Sequence, residues 1–168
     1  MRAKIFEPLE INGMRLKNRI GFAPMLNMPR GPDWGPDEHT VEWFEARAKG
    51  GVGLVMTGTF LPLHALMPGG VERFARVAEA VHAHGARLGV QIGAPGPMLG
   101  QGPSPHPYPD ERRPRRSIFE CLRGRISPVP GVDAVAVLSP EQIESHEKAF
   151  AAAAKALKDA GVDCIELH

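Results

Sequence analysis

Four short runs of mostly apolar residues alternate with helical patterns along this 168-residue chain, and this alternation limits the possible folds more than any other feature. The runs are residues 20–23, 52–57, 88–92 and 162–168. The first three have almost no polar face for solvent, which is typical of parallel strands that are covered on both sides. Because parallel strands need crossover connections, the pattern predicts an α/β fold with a parallel sheet and right-handed crossovers.

Two of the intervening helices have clear start signals. Asp37 is a plausible N-cap with Thr40 at its third helical position, so a helix is predicted to follow Asp37 and to end near residues 49–51. Ser139, Pro140 and Gln142 combine a serine cap, a proline at the first helical position and a glutamine at the third. Between these two helices, a helical stripe over residues 71–84 predicts a third, whereas residues 58–70 are predicted to form a loop.

The N-terminal residues predict a small β-hairpin. Leu9 and Ile11 alternate with polar neighbours, and Asn12-Gly13 is a strong signal for a two-residue turn. Four strand–helix steps amount to half of a (β/α)8 barrel, which typically needs about 250 residues. An open doubly wound sheet is the alternative, but the Gly-x-Gly-x-x-Gly fingerprint of a dinucleotide site is absent. The predicted fold for residues 1–168 is therefore the N-terminal half of a (β/α)8 TIM barrel with a short N-terminal β-hairpin plug.

The strand ends define candidate site residues. Pro24 cannot donate to a strand ladder, so the first strand is expected to stop near Ala23 and to place Pro24 and its successors at the carboxyl rim. Ligands bind at that rim in α/β folds. The corresponding residues are Pro24, Met25 and Leu26 after the first strand, Gly58 and Thr59 after the second, Gln91 in the third and His168 in the fourth.

Charge and composition exclude several classes of function. The 20 Lys and Arg nearly balance the 19 Asp and Glu, which gives no reason to expect nucleic acid or an anionic membrane as a partner. The N-terminus lacks a signal segment, and Cys121 and Cys164 are too few for a disulfide framework, so a reducing cytoplasmic location is expected. No metal site is predicted. Residues 93–140, rich in Pro and Arg, are expected to form a long loop insertion. The arginine run in this segment is interpreted as a solvated face in preference to an anion-binding site.

An ordered set of motifs resembles the N-terminal half of the Old Yellow Enzyme family, the NADH:flavin oxidoreductases and FMN-dependent ene-reductases. The step at Thr57-Gly58 is similar to the branch that contains 2,4-dienoyl-CoA reductase. The motifs keep the family's order and spacing over essentially the whole chain: Phe6-Glu-Pro-Leu9, Leu16-Lys-Asn-Arg-Ile20, Ala23-Pro-Met25, Arg47-Ala-Lys-Gly-Gly-Val-Gly-Leu54, Val81-His82, Gln91 and Ala160-Gly-Val-Asp-Cys-Ile-Glu-Leu-His168.

The resemblance implies FMN as cofactor and NAD(P)H as reductant, with hydride passed to an activated alkene or a related small-molecule acceptor. It places Pro24, Met25 and Leu26 against the isoalloxazine ring, Gly58 and Thr59 near its N5 and O4 edge, and Gln91 on its pyrimidine ring. His168 matches the first histidine of the pair that binds the substrate's carbonyl oxygen, where a donor stabilises developing enolate charge.

Simpler interpretations stand beside these roles. Pro24 and Met25 could form only a strand stop with a core methionine, although the ordered motif set favours the flavin contact. For Gln91 a backbone partner would satisfy its buried amide as well as a ligand would. His82 and His84 are expected to face solvent. The chain also departs from the family at Ala94 and Pro97, where a histidine and an arginine are common. A further departure is Leu26, at a position where the family often has a small polar or sulfur-containing residue.

Three functions remain open from the sequence. The first is the N-terminal part of an FMN oxidoreductase, inactive as this truncated chain. The second is a non-catalytic split or degenerate half barrel that acts as an association partner. The third, a TIM-type enzyme without flavin, is disfavoured by the motif set. The first two require either a homo-oligomer or the missing C-terminal half, since a half barrel leaves two sheet edges open.

Overall fold

The computed structural model describes residues 3–25, 28–93 and 139–168. Leu26, Ala94, Pro97 and nearly all of the 93–140 insertion lie outside these residues. The elements, in chain order, are a 3-10 turn at Lys4–Phe6, β1 Leu9–Ile11, β2 Met14–Leu16, β3 Gly21–Phe22, α1 Glu38–Lys49, β4 Leu54–Met56, α2 Pro62–Leu66, α3 Gly70–His82, β5 Arg87–Ile92, α4 Pro140–Asp159 and β6 Cys164–Leu167. None of the helices in this described part is long and apolar enough to cross a membrane.

The four strands β3, β4, β5 and β6 form one parallel sheet whose spatial order follows the chain order. Their register pairs Gly21 with Leu54, Leu54 with Arg87 and Gly89 with Cys164. A doubly wound sheet reverses its strand order at a switch point, whereas successive strands of a (β/α)8 barrel are always neighbours. The sequential order therefore agrees with the predicted half barrel. The sheet belongs to the compact unit Met1–Ala94 with His146–His168.

The predicted hairpin is present. Strands β1 and β2 pair antiparallel, and Asn12 and Gly13 between them both have positive φ, at 47° and 83°. That geometry is the primed turn whose twist matches the strands. The hairpin lies at the amino end of the sheet, because the Arg87 guanidinium at the start of β5 donates to the Arg15 carbonyl at 3.2 Å. The expected plug is thus at the end opposite the candidate site residues.

Both predicted N-caps are formed. The Thr40 backbone N–H donates to Asp37 Oδ1 at 2.9 Å, and the Asp37 N–H donates to Thr40 Oγ1 at 3.0 Å. At α4 the Ser139 N–H donates to Gln142 Oε1 at 2.8 Å, and the Gln142 N–H donates to Ser139 Oγ at 3.3 Å. Each pair is a capping box that satisfies donors the helix itself leaves unpaired.

Helices α1, α3 and α4 contribute apolar faces to a core that includes the central strands. Strand β5 is buried from Leu88 to Ile92, as expected for a strand covered on both sides. The Cys164 thiol takes part in this packing, and burial raises its pKa above the ordinary thiol value. The largest fully buried side chains are Phe44, Phe60, Phe74, Leu88, Ile92 and Leu157.

Two expectations about local structure are wrong. The segment predicted as a loop contains the short helix α2, with Pro62 at its start and the Leu61 N–H donating to His64 Nδ1 at 3.1 Å. Five residues are too few to show a helical period in sequence. His82 and His84 do not simply face solvent: His82 Nε2 lies 2.6 Å from Asp163 and His84 Nε2 lies 3.1 Å from Glu45. These partners are distant in sequence, so no local pattern identifies them.

Candidate functional site

The carboxyl ends of β4, β5 and β6 bring Thr59, Gln91 and His168 to one part of the sheet rim. All four strands are parallel, so their carboxyl ends share one edge. The pairing of β5 with β6 continues at this edge, because the N–H of His168, the residue after β6, donates to the carbonyl of Ile92, the last residue of β5, at 2.9 Å. Three of the predicted site residues therefore lie on adjacent strands.

Gln91 is almost fully buried, with 5% of its surface exposed, and its polar groups are held from β4 and the loop after it. Its backbone N–H donates to Thr57 Oγ1 at 3.2 Å, and its carbonyl accepts from the Phe60 N–H at 2.9 Å. Its side-chain carbonyl Oε1 accepts from the Thr59 hydroxyl. Burial of the amide is thus compensated by specific partners, as a buried polar group requires.

Thr59 is itself fixed by Arg30. The Arg30 Nη2 group donates to the Thr59 carbonyl at 2.8 Å, and the guanidinium lies 5.3 Å from the ring centroid of Phe60 and 5.8 Å from that of Trp34. Burial lowers the pKa of Arg30 below its ordinary value. Sequence reasoning missed Arg30 because it lies in a loop rich in Pro and Gly, with no motif to mark it.

The same loop is anchored at two further points. The Thr40 hydroxyl donates to the Pro29 carbonyl at 2.9 Å, and Arg73 Nη1 donates to Asp33 at 2.6 Å. That hydrogen bond from Arg73 lowers the pKa of Asp33. Nearby His64 is buried; desolvation first, and then the positive charge of Arg30, lower its pKa below the ordinary histidine value. Contacts with α1 and α3 therefore hold this loop in place.

Two glycines permit close approach at the rim. Gly58 is buried, and its N–H donates to Met28 Sδ at 3.3 Å, so this predicted residue contributes space and does not offer a free donor. Gly93 follows β5, and a Cβ added to it would lie 2.5 Å from Thr59 Cγ2 and 3.0 Å from the His168 carbonyl oxygen. Gly93 was not among the predicted site residues. The signal available was only a glycine at the end of a buried strand, which indicates close backbone approach.

The remaining predicted residues are less tightly grouped. Pro24 is half-buried, and Met25 is 39% exposed, both after β3 and two strands away from Gln91. His168 has an exposed side chain at the rim. Leu26 lies outside the described residues. The site thus has a tightly bonded part on β4 and β5 and an open part formed by Met25 and His168.

A separate groove of about 500 Å³ lies beside α1, on the side of that helix that carries Trp43 and Arg47. The Arg47 guanidinium stacks 3.4 Å above the Trp43 ring centroid and donates to the Trp43 carbonyl at 2.9 Å. The groove does not include Gln91 or His168, but it shares Arg30 with the rim site. The described residues contain no group of three His, Cys, Asp or Glu side chains suited to a metal ion, and no metal was predicted.

The comparisons with known proteins agree with this fold. The profile of the NADH:flavin oxidoreductase / NADH oxidase family matches residues 4–168, so the chain belongs to that family. The structure of Old Yellow Enzyme from Pichia sp. AKU4542 superposes with a TM-score of 0.73 at 21% identity, covering 98% of this chain and 45% of that one. The predicted half of a TIM barrel is thereby confirmed.

Two curated relatives are reductases. The bilirubin reductase of Mediterraneibacter gnavus is 27% identical over 176 residues, and the cinnamate reductase of Clostridium sporogenes is 28% identical over 198 residues. Each alignment covers 98% of this chain and 25% of the relative. The chain thus spans about a quarter of the length of these two relatives and less than half of the Old Yellow Enzyme structure.

Proposed function

We propose that this chain supplies the N-terminal half of an FMN-dependent NAD(P)H oxidoreductase that reduces an activated alkene or a related acceptor. The observation that carries the proposal is the buried Gln91 side-chain amide at the carboxyl rim, whose Oε1 accepts from the Thr59 hydroxyl while Thr57 and Phe60, in the loop after β4, pair with the Gln91 backbone. A buried amide held this way is costly to build, and family membership gives it a purpose as a cofactor contact. The bilirubin and cinnamate reductases support an unsaturated acceptor as the substrate class.

The rim residues fit the ring end of FMN. The Gln91 amide is a suitable partner for the polar pyrimidine edge, and the absence of a side chain at Gly93 lets Thr59 and His168 approach the end of β5 closely. Pro24, Met25, Gly58 and Thr59 would contact the remaining ring edges, together with Leu26. When bound, FMN supplies the hydride transfer between NAD(P)H and the acceptor, and the protein orients the reactants.

His168 is proposed to bind the acceptor. Its exposed imidazole at the end of β6 is free to donate a hydrogen bond to a carbonyl oxygen of the substrate. A donor at that position is most valuable when negative charge develops on the oxygen, because a preorganised donor then stabilises the transition state more than the ground state. A cytoplasmic location, expected from the cysteine content, forms part of the same proposal.

Activity is proposed to need a further polypeptide segment. The relatives are about two to four times as long as this chain, and within the described residues β3 and β6 each pair with a single neighbour in the sheet. Either the C-terminal half of the barrel or a second copy of the chain would supply the remaining strands. The same free edges favour the second candidate function, a non-catalytic half barrel whose role is association.

An absorbance experiment tests the proposal. The purified 168-residue chain is incubated with FMN, freed of excess cofactor and scanned for the flavin band, alone and after coexpression with any segment encoded beyond His168. Gln91→Leu, which keeps a side chain of similar volume but removes the amide, serves as the matched variant. A retained yellow band that NAD(P)H bleaches without air, and that Gln91→Leu weakens, supports the oxidoreductase. Colourless protein in every combination, with a stable complex, supports the association role instead.

A further inference from the structure

We infer that Thr59 is a positioning residue. Its hydroxyl fixes the Gln91 side-chain amide with the NH2 group turned toward the ligand, so the site selects a ligand whose carbonyl oxygen accepts a hydrogen bond at this point. The inference rests on the proposed function for the identity of the ligand, but its structural part does not. Thr59 and Gln91 are separated by 32 residues and meet only because β4 and β5 are neighbours.

The hydrogen bonds of Gln91 determine which of its groups remains for a ligand. The Gln91 backbone N–H donates to Thr57 Oγ1, and the backbone carbonyl accepts from the Phe60 N–H. The side-chain Oε1 accepts from the Thr59 hydroxyl. An amide side chain has one acceptor oxygen and one NH2 donor group. With one of the two lone pairs of the oxygen engaged by Thr59, the NH2 group is turned away from Thr59 and is the donor that the side chain offers to a ligand.

Thr59 is held in turn, which makes the arrangement a relay. Arg30 donates to the Thr59 carbonyl at 2.8 Å, and its guanidinium is packed against the Phe60 ring. Within the described residues, Arg30 Nε is buried and has no hydrogen-bond partner. The relay runs from Arg30 through Thr59 to Gln91 and ties the β3–α1 loop to the orientation of one amide.

Fixing the amide has a chemical consequence. A freely rotating glutamine can present either its oxygen or its NH2 group, and it can bind a donor or an acceptor. A glutamine with its oxygen engaged favours a ligand atom with lone pairs, such as a carbonyl oxygen of the FMN pyrimidine ring, and disfavours a ring N–H at the same point. Preorganisation of this kind increases affinity by reducing the ordering required on binding.

Two variants of Thr59 separate its hydroxyl from its shape. Thr59→Val keeps the branched side chain and removes the hydroxyl, whereas Thr59→Ser keeps the hydroxyl and is the rescue control. The chain has only three glutamines, Gln91, Gln101 and Gln142, so glutamine-selective 15N labelling resolves three side-chain NH2 pairs. Gln91→Leu assigns the pair of interest, and thermal unfolding of each variant verifies folding.

The NMR readout needs no cofactor. We expect the Gln91 NH2 pair to shift in Thr59→Val toward the position of a solvated glutamine and to stay close to wild type in Thr59→Ser. A Gln91 pair that is the same in wild type and in Thr59→Val would overturn the positioning role. If Thr59→Val does not fold, the comparison of Thr59→Ser with Thr59→Ala decides the same question.

A titration of FMN, followed by quenching of its fluorescence, tests the ligand part. The loss of one hydrogen-bonded constraint predicts about a fivefold weaker Kd in Thr59→Val, and Thr59→Ser is expected within about twofold of wild type. Equal affinities in all three proteins would overturn the selection of a carbonyl acceptor. The titration is made on the chain alone and on the chain coexpressed with any segment encoded beyond His168. Failure of both wild-type preparations to bind FMN would count against the proposed function, and the amide spectra would still decide the role of Thr59.

Discussion

Asp163 and Leu88 exchange two hydrogen bonds at the point where β6 joins β5. The Asp163 N–H donates to the Leu88 carbonyl at 2.9 Å, and the Asp163 carboxylate accepts from the Leu88 N–H at 2.8 Å. The same carboxylate accepts from Arg87 Nη1 at 3.0 Å and lies 2.6 Å from His82 Nε2. A single side chain thus connects α3, β5 and β6 at the amino end of the sheet.

Replacement of Asp163 by Ala is expected to destabilise the chain by about 2–4 kcal/mol, because it leaves the N–H of fully buried Leu88 without its partner and removes two charged contacts. Chemical denaturation followed by circular dichroism measures the change. Glu38→Gln is the control, since Glu38 pairs with Arg76 on the surface and such pairs contribute about 0–1 kcal/mol. Equal losses for both variants would contradict the special role of Asp163.

Local sequence signals predicted local structure well. Asn12-Gly13 gives the hairpin turn, and the caps at Asp37 and Ser139 give the starts of α1 and α4, because each feature depends on residues within a few positions. The order of the sheet also follows from the alternation of strands and helices. What the sequence did not reveal was the short helix α2, which has no period long enough to detect.

At the candidate site, the contacts that could not be predicted from the sequence are those between residues far apart in the chain. The sequence indicated that Gln91 needs a partner, but Thr59 is one of many polar residues until the register of β4 against β5 brings it opposite. Arg30 was missed for the same reason, since its carbonyl partner is 29 residues away. The roles of Pro24, Met25 and His168 remain predictions, because they depend on a ligand.

Stability is expected to depend on pH through His64. Its pKa in the folded chain lies below the ordinary histidine value, because the ring is buried and Arg30 and Arg73 face it, with Asp33 only partly opposing them. The unfolded chain therefore binds more protons, so this contribution is fully present above about pH 6.5 and is lost as the pH falls through the folded pKa. The free energy of unfolding, measured in urea between pH 7.5 and pH 5, should fall.

A glutamine at position 64 isolates this effect. His64→Gln does not titrate, so the fall in stability with decreasing pH should be smaller in the variant, by at most about 1.4 kcal/mol per pH unit. His39→Gln is the matched control because the His39 side chain is 78% exposed. If wild type and His64→Gln lose stability in parallel, His64 is not the titrating group.

Gly93 is expected to tolerate no side chain. In Gly93→Ala the new Cβ would lie 2.5 Å from Thr59 Cγ2 and 3.0 Å from the His168 carbonyl, so the ends of β4 and β6 must move apart. Overpacking of this kind costs about 1–3 kcal/mol. Gly21→Ala is the control, because the nearest atom to its added Cβ is 4.0 Å away. Thermal unfolding of both variants measures the difference. Similar midpoints would contradict the close approach at Gly93.

His168 gives the sharpest test of the proposed chemistry. In the complete flavoprotein, His168→Ala should reduce kcat/KM for an enone by about 10²–10³-fold, because it removes one donor to the developing enolate oxygen. FMN content should not change, since the proposed contact with the pyrimidine edge belongs to Gln91 and the proposed contact with the N5 and O4 edge to Thr59. His168→Asn keeps a donor and should recover part of the activity. Full activity in His168→Ala would place carbonyl binding on other residues, whereas loss of FMN together with activity would assign His168 to the cofactor site.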